Sequence, residues 1–81
     1  MNELYTRIAR GQKADRLAEE TREHFMGLEK AYAAQWQGEE DPAKREAIWF
    51  KQRALRDVYA DLIAAIGDGQ LAQEELDYGR Q

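Results

Sequence analysis

Apolar side chains recur at steps of three and four residues along two stretches of this chain. In the first, Ala14, Leu17, Ala18, Thr21, Phe25, Leu28, Tyr32, Gln35 and Trp36 fall within one arc of a helical wheel. Asp15, Arg16, Glu19, Glu23 and Lys30 occupy the opposite arc, and Gln37-Gly38-Glu39-Glu40 ends the periodic run with a glycine where a helix C-terminus favours one. The pattern predicts a helix over residues 12–37 that stops near Trp36 or Gln37.

Asp41-Pro42 then marks a new start. An aspartate oxygen can accept from a first-turn amide, and a proline at the first helical position gives up no hydrogen bond. A second helix is predicted over residues 42–66, its main arc formed by Ile48, Leu55, Tyr59, Leu62 and Ile66 with Val58 and Ala65 beside it, and Gly67-Asp68-Gly69 is its expected end. So short a connection joins antiparallel neighbours. The expected register places Trp36 near Ile48 at the loop end, and Leu17 or Thr21 near Leu62 to Ile66 at the open end.

Two short accessory elements complete the expected fold. Asn2 caps a helix or arm over residues 1–10 that carries Leu4 and Ile8, a pair out of phase with the main arc when counted at 100° per residue. Gly11, about 1 kcal/mol less favourable than Ala inside a helix, is the expected kink or break. Leu71, Ala72 and Leu76 are spaced for a third helix over residues 70–77 that folds back, with Tyr78 to Gln81 frayed. The fold class is therefore all-α: one domain over residues 1–81, an antiparallel two-helix hairpin with short helices at both ends, assembling into a helical bundle.

That assembly is expected from a second stripe. Trp49, Arg56 and Ile63 follow one another at seven-residue steps away from the main arc of the second helix, with Phe50 and Ala54 on a further flank. Aromatic and arginine side chains off the core face are the kind that dominate association surfaces. Trp49, Phe50, Arg56 and Ile63 are thus the candidate interface, and a homo-oligomer, first of all a dimer, is the expected partner arrangement. The competing expectation is that Leu4, Ile8 or the Leu71 to Leu76 segment folds over the stripe within one chain.

Composition narrows the function classes. With 81 residues, 43% hydrophobic, 35% charged and a single proline, the chain reads as folded and helix-rich, with a thin core. It has no cysteine to provide a disulfide or a thiolate metal site. The net charge of −4 argues against a protein that coats nucleic acid. Lys44, Arg45, Lys51, Arg53 and Arg56 scatter around the helix and interleave with Glu46 and Asp57. No apolar run is long enough to span a bilayer and no signal-peptide order opens the chain, so a cytoplasmic setting is expected.

Catalytic chemistry finds no foothold. His24 has Glu20 one turn earlier, but no Glu-x-x-His pair recurs on the second helix, so no metal is expected. Carboxylates such as Glu39, Asp57 and Glu74 are abundant without a pocket to separate their pKa values, and Gly67-Asp68-Gly69 lacks the Lys-Ser/Thr of a phosphate loop. No enzyme activity and no cofactor are expected.

The order Gly11-x-x-Ala14-x-x-Leu17, Phe25, Leu28, Trp36, Asp41-Pro42, Arg45-Glu46, Leu55, Leu62, Ile66-Gly67 resembles small uncharacterised helical-hairpin proteins of tailed bacteriophages and prophages. The resemblance implies an accessory or morphogenesis-associated protein without catalysis, with a host or virion protein as a further partner. The second helix is also similar in outline to phage hairpins that assemble and sequester cyclic nucleotide messengers. On that alternative reading Arg45, Lys51 and Arg56 would contact an anion between protomers, with Trp49 or Tyr59 stacking. A DNA-associated packaging or regulatory role is the second alternative, for which only the Gly67 to Leu76 corner offers a turn.

Overall fold

A computed structural model describes residues 2–79. Two helices, α1 (Glu3–Gly38) and α2 (Pro42–Gly79), account for nearly all of them. They pack antiparallel as a rod with extents of 60 × 21 × 18 Å, as two helices of 36 and 38 residues should at about 1.5 Å per residue. The all-α hairpin expected from the periodicity is what the chain forms.

Local chemistry sets each helix end. Asn2 Oδ1 accepts from the Leu4 amide at 2.9 Å, capping α1. Only Glu39, Glu40 and Asp41 connect the helices. The Glu39 amide donates to the Trp36 carbonyl, and Asp41 takes up its expected capping role, its Oδ1 accepting from the Ala43 amide at 3.0 Å. Arg45 ties the turn together: its Nε donates to the Trp36 carbonyl at 3.3 Å and its guanidinium lies 3.9 Å from the Trp36 ring centroid.

Neither terminal helix is a separate element, which corrects the expected boundaries. α1 runs through Gly11 without a break, and α2 runs through Gly67-Asp68-Gly69 and absorbs the segment 70–77. Tyr78 and Gly79 finish its last turn, while residues 80 and 81 lie outside the described residues. The glycines are not helix stops, because none among the described residues adopts a positive φ. Gly11 and Gly69 are instead where the helices touch. A Cβ on Gly11 would stand 2.8 Å from Gly69 Cα and 3.0 Å from the Ala65 carbonyl oxygen, and one on Gly69 would meet Gly11 Cα at 2.8 Å. Backbone contact this close has room for glycine alone. Ala14 and Ala72, the buried hydrophobic side chains among the described residues, continue the same tight zone.

The phase of the N-terminal segment is corrected for a related reason. Along α1 the covered positions Leu4, Arg7, Gly11, Ala14, Ala18, Thr21, Phe25, Leu28 and Tyr32 alternate steps of three and four. Along α2, Arg45, Ile48, Gln52, Leu55, Tyr59, Leu62, Ile66, Gly69, Gln73 and Leu76 do the same, with Tyr59 the most open of the set. This is a heptad seam, with a mean period of 3.5 residues. Counting at 100° per residue accumulates about 20° of error per heptad. Over the three heptads from Leu4 to Phe25 that error makes Leu4 look displaced from a seam to which it belongs. Leu17, by contrast, lies beside the seam and is exposed.

Contacts at three levels set the register. Arg45 meets Trp36 at the loop, Phe25 and Tyr59 pack edge-to-face midway with ring centroids 5.8 Å apart, and Gly11 meets Gly69 toward the open end. Charge reinforces this pairing. Residues 3–16 of α1 carry Arg7, Arg10, Lys13 and Arg16 against Glu3 and Asp15, and they face the second half of α2, which carries Asp61, Asp68, Glu74, Glu75 and Asp77 and has no Lys or Arg of its own among the described residues. Arg7 closes the open end: its Nε and Nη2 hold the Asp68 carboxylate at 2.9–3.1 Å, and its Nη1 lies 3.6 Å from Glu75. The hydrogen bond from Arg7, opposed by desolvation and aided by the charges of Arg7 and Arg10, holds the Asp68 carboxyl below its ordinary pKa.

Candidate association interface

Continuity of α2 past Gly69 extends its outer face by more than two turns. Trp49, Arg56 and Ile63 are exposed, as their seven-residue spacing predicts, on the flank of α2 one residue past the seam positions Ile48, Leu55 and Leu62. Leu71 and Tyr78 lie one position further round, two residues past Gly69 and Leu76, so that Trp49 (46% exposed), Ile63 (49%), Leu71 (57%) and Tyr78 (79%) make a stripe that shifts from the flank of α2 to its outermost side along the rod. Phe50 flanks it, its ring edge-on to Trp49 at 5.2 Å and 74°. The segments expected to compete for this stripe are engaged elsewhere. Leu4 belongs to the heptad seam, Ile8 lines a depression beside Gly11 and Gly69, and Leu76 sits in the seam of α2.

Leu71 and Tyr78 were not among the sequence candidates, because reading Gly67-Asp68-Gly69 as a helix end cut the stripe in two. The signal was present: Ile63, Gly67, Leu71 and Tyr78 follow at helical steps once the glycines are taken as interior positions.

The surface is larger than a chain of this mass normally shows. A folded 9.4 kDa monomer is expected to expose about 5,000 Å², whereas this rod exposes 6543 Å². The surplus of roughly 1,500 Å² follows from a two-helix shape that buries one seam and leaves every other face open.

The candidate anion contacts do not converge within one protomer. Arg45 is committed to Trp36. Lys51 borders a shallow depression with Phe25, Tyr32 and Val58, while Arg56 borders a different one with Met26, Glu29 and Tyr59. Arg45 and Arg56 are also about 16 Å apart along the helix at the ordinary rise. His24 is exposed on α1, and among the described residues no three His, Cys, Asp or Glu side chains cluster as a metal site would require. Among the same residues no helix is long and apolar enough to cross a membrane. No family model, no curated protein and no solved structure matches this chain.

Proposed function

We propose that the protein is a non-catalytic accessory protein of the phage and prophage type, acting in the cytoplasm through helix-mediated association, with itself first and then with a host or virion protein. The observation that carries this reading is the continuous outer stripe of α2, which leaves Trp49, Ile63 and Leu71 in water on a protomer whose own core is thin. Covering the half of each such side chain that is still exposed stabilises an assembly by about 0.7–1.7 kcal/mol, and a protomer that buries only small residues fully gains most from doing so. A homodimer in which two hairpins form a four-helix arrangement fits both facts.

Trp49→Glu tests it. Position 49 is exposed on the protomer, so a carboxylate there leaves the hairpin intact while placing a charge within the contact. Light scattering should give twice the chain mass for the wild type and the chain mass for the variant, with unchanged helical circular dichroism. A wild type that stays monomeric at high micromolar concentration refutes the proposal.

A further inference from the structure

The same stripe specifies how the second copy lies, an inference that rests on the self-association proposed above. We infer that α2 pairs with α2 of an identical chain in antiparallel orientation, about a two-fold axis that passes between Ile63 and Ala64. Three independent features of the protomer lead there.

The spacing of the outer face is palindromic. Its positions run 49, 53, 56, 60, 63, then 64, 67, 71, 74, 78, all exposed but the half-buried Gly67, and the steps outward from the midpoint are the same in both directions. An isologous contact requires that if one residue meets a second, the second also meets the first. Superposing the stripe on its own reverse sets Trp49 against the partner's Tyr78, Arg53 against the partner's Glu74 and Arg56 against the partner's Leu71. Ala60 meets the partner's Gly67 and Ile63 meets the partner's Ala64. Aromatic rings thus close both ends, an opposite-charge pair lies inside each, and Ala60, Ala64 and Gly67 surround Ile63 at the centre.

Charge selects the same orientation. The first half of α2 carries Lys44, Arg45, Lys51, Arg53 and Arg56 against Glu46 and Asp57, whereas the second half carries five carboxylates and no cation. Antiparallel pairing sets the cationic half of each copy on the anionic half of the other. Parallel pairing would align like with like, which disfavours it. Arg53 has an exposed ion pair with Asp57 one turn on, at 3.4 Å, which leaves its other guanidinium nitrogens available to a partner carboxylate.

Gly67 is the third feature. A glycine inside a helix is destabilising relative to alanine, and at Gly11 and Gly69 the contact between α1 and α2 demands it. Nothing lies within 4 Å of a Cβ built on Gly67, so the protomer has no use for its missing side chain. Its neighbours one turn away, Ile63, Ala64 and Leu71, form the apolar centre of the stripe. Close approach of a second α2 at this point gives the glycine a role. Gly27, the other interior glycine in open space, has Glu23, His24 and Lys30 among the residues one turn away and no such surroundings. A standard interface takes about 800 Å² from each partner, which would be about an eighth of the 6543 Å² this protomer exposes.

Charge reversal and cysteine crosslinking decide the matter in the full chain, which has no native cysteine to interfere. Arg53→Glu and Glu74→Arg should each weaken the dimer by about tenfold or more, and the double variant should restore it, because each exchange recreates the pair across the axis. Under mild oxidation Ala64→Cys, beside the axis, should form a covalent dimer. Leu71→Cys should not, because its two copies would stand about 22 Å apart along the helices, beyond disulfide reach. A dimer that crosslinks through Leu71→Cys, or that the double charge reversal fails to restore, overturns the antiparallel arrangement and leaves self-association standing. A wild type that sediments as a monomer at every concentration overturns both.

Discussion

Adding one methyl group to Gly69 tests whether the Gly11 to Gly69 contact governs the hairpin. Gly69→Ala places a Cβ 2.8 Å from Gly11 Cα and 3.2 Å from the Arg7 carbonyl oxygen. Both are backbone atoms, so no flexible side chain can move aside and the helices themselves must separate. Overpacking of this kind destabilises by about 1–3 kcal/mol, at the upper end where backbone must yield, while replacing glycine by alanine inside a helix returns about 1 kcal/mol. The net expectation is a loss of roughly 1–2 kcal/mol, or a fall in Tm of about 4–16 °C for a domain of this size. Gly27→Ala is the matched control: nothing lies within 4 Å of its Cβ, so the helix preference acts alone and Tm should rise by about 4–8 °C. Thermal circular dichroism at 222 nm and one fixed protein concentration reads both. A Gly69→Ala protein as stable as the wild type, or more so, refutes the reasoning, because the two substitutions differ only in what surrounds the new methyl group.

Acid should expose the Arg7 to Asp68 clamp. The folded-state pKa of Asp68 lies below its unfolded value, so its contribution is fully present above about pH 4 and is lost as the pH falls through the lower folded value. Asp68→Asn should therefore be less stable than the wild type at pH 6, with the gap closing toward pH 2 in urea titrations; an equal gap at both pH values would contradict the assignment. Asp41→Ala removes the acceptor for the Ala43 amide and should lower stability by about 1 kcal/mol, whereas Asp41→Asn and Asp41→Ser should retain most of it. Arg45→Ala loses the contact with the Trp36 ring and its carbonyl, with an expected cost of about 0.5–1 kcal/mol and a change in tryptophan emission; unaltered emission would place the guanidinium elsewhere.

What the sequence made legible was the part of the fold that depends on local chemistry. Asp41-Pro42 announces the start of α2, the three- and four-residue steps announce both helices, and the seven-residue spacing of Trp49, Arg56 and Ile63 sets them off the core face. The misplaced boundaries share one cause. Gly11 and Gly67-Asp68-Gly69 read as punctuation because a glycine in one chain segment carries no sign of what will face it. Whether a glycine ends a helix or admits a neighbouring one depends on residues nearly sixty positions away. Leu4 shows a second limit: the straight-helix period is adequate across two turns and misleading across six. With the break at Gly67 assumed, Leu71 and Tyr78 were separated from Trp49 and Ile63, and the reach of the outer stripe stayed hidden.

Sedimentation equilibrium of the unmodified protein from low to high micromolar concentration bears most directly on the claim that the outer face of α2 is made to be covered. The data should fit a reversible monomer and dimer with a limiting mass twice the 9.4 kDa of the chain. A single 9.4 kDa species over the whole range, with the helices folded, would contradict it.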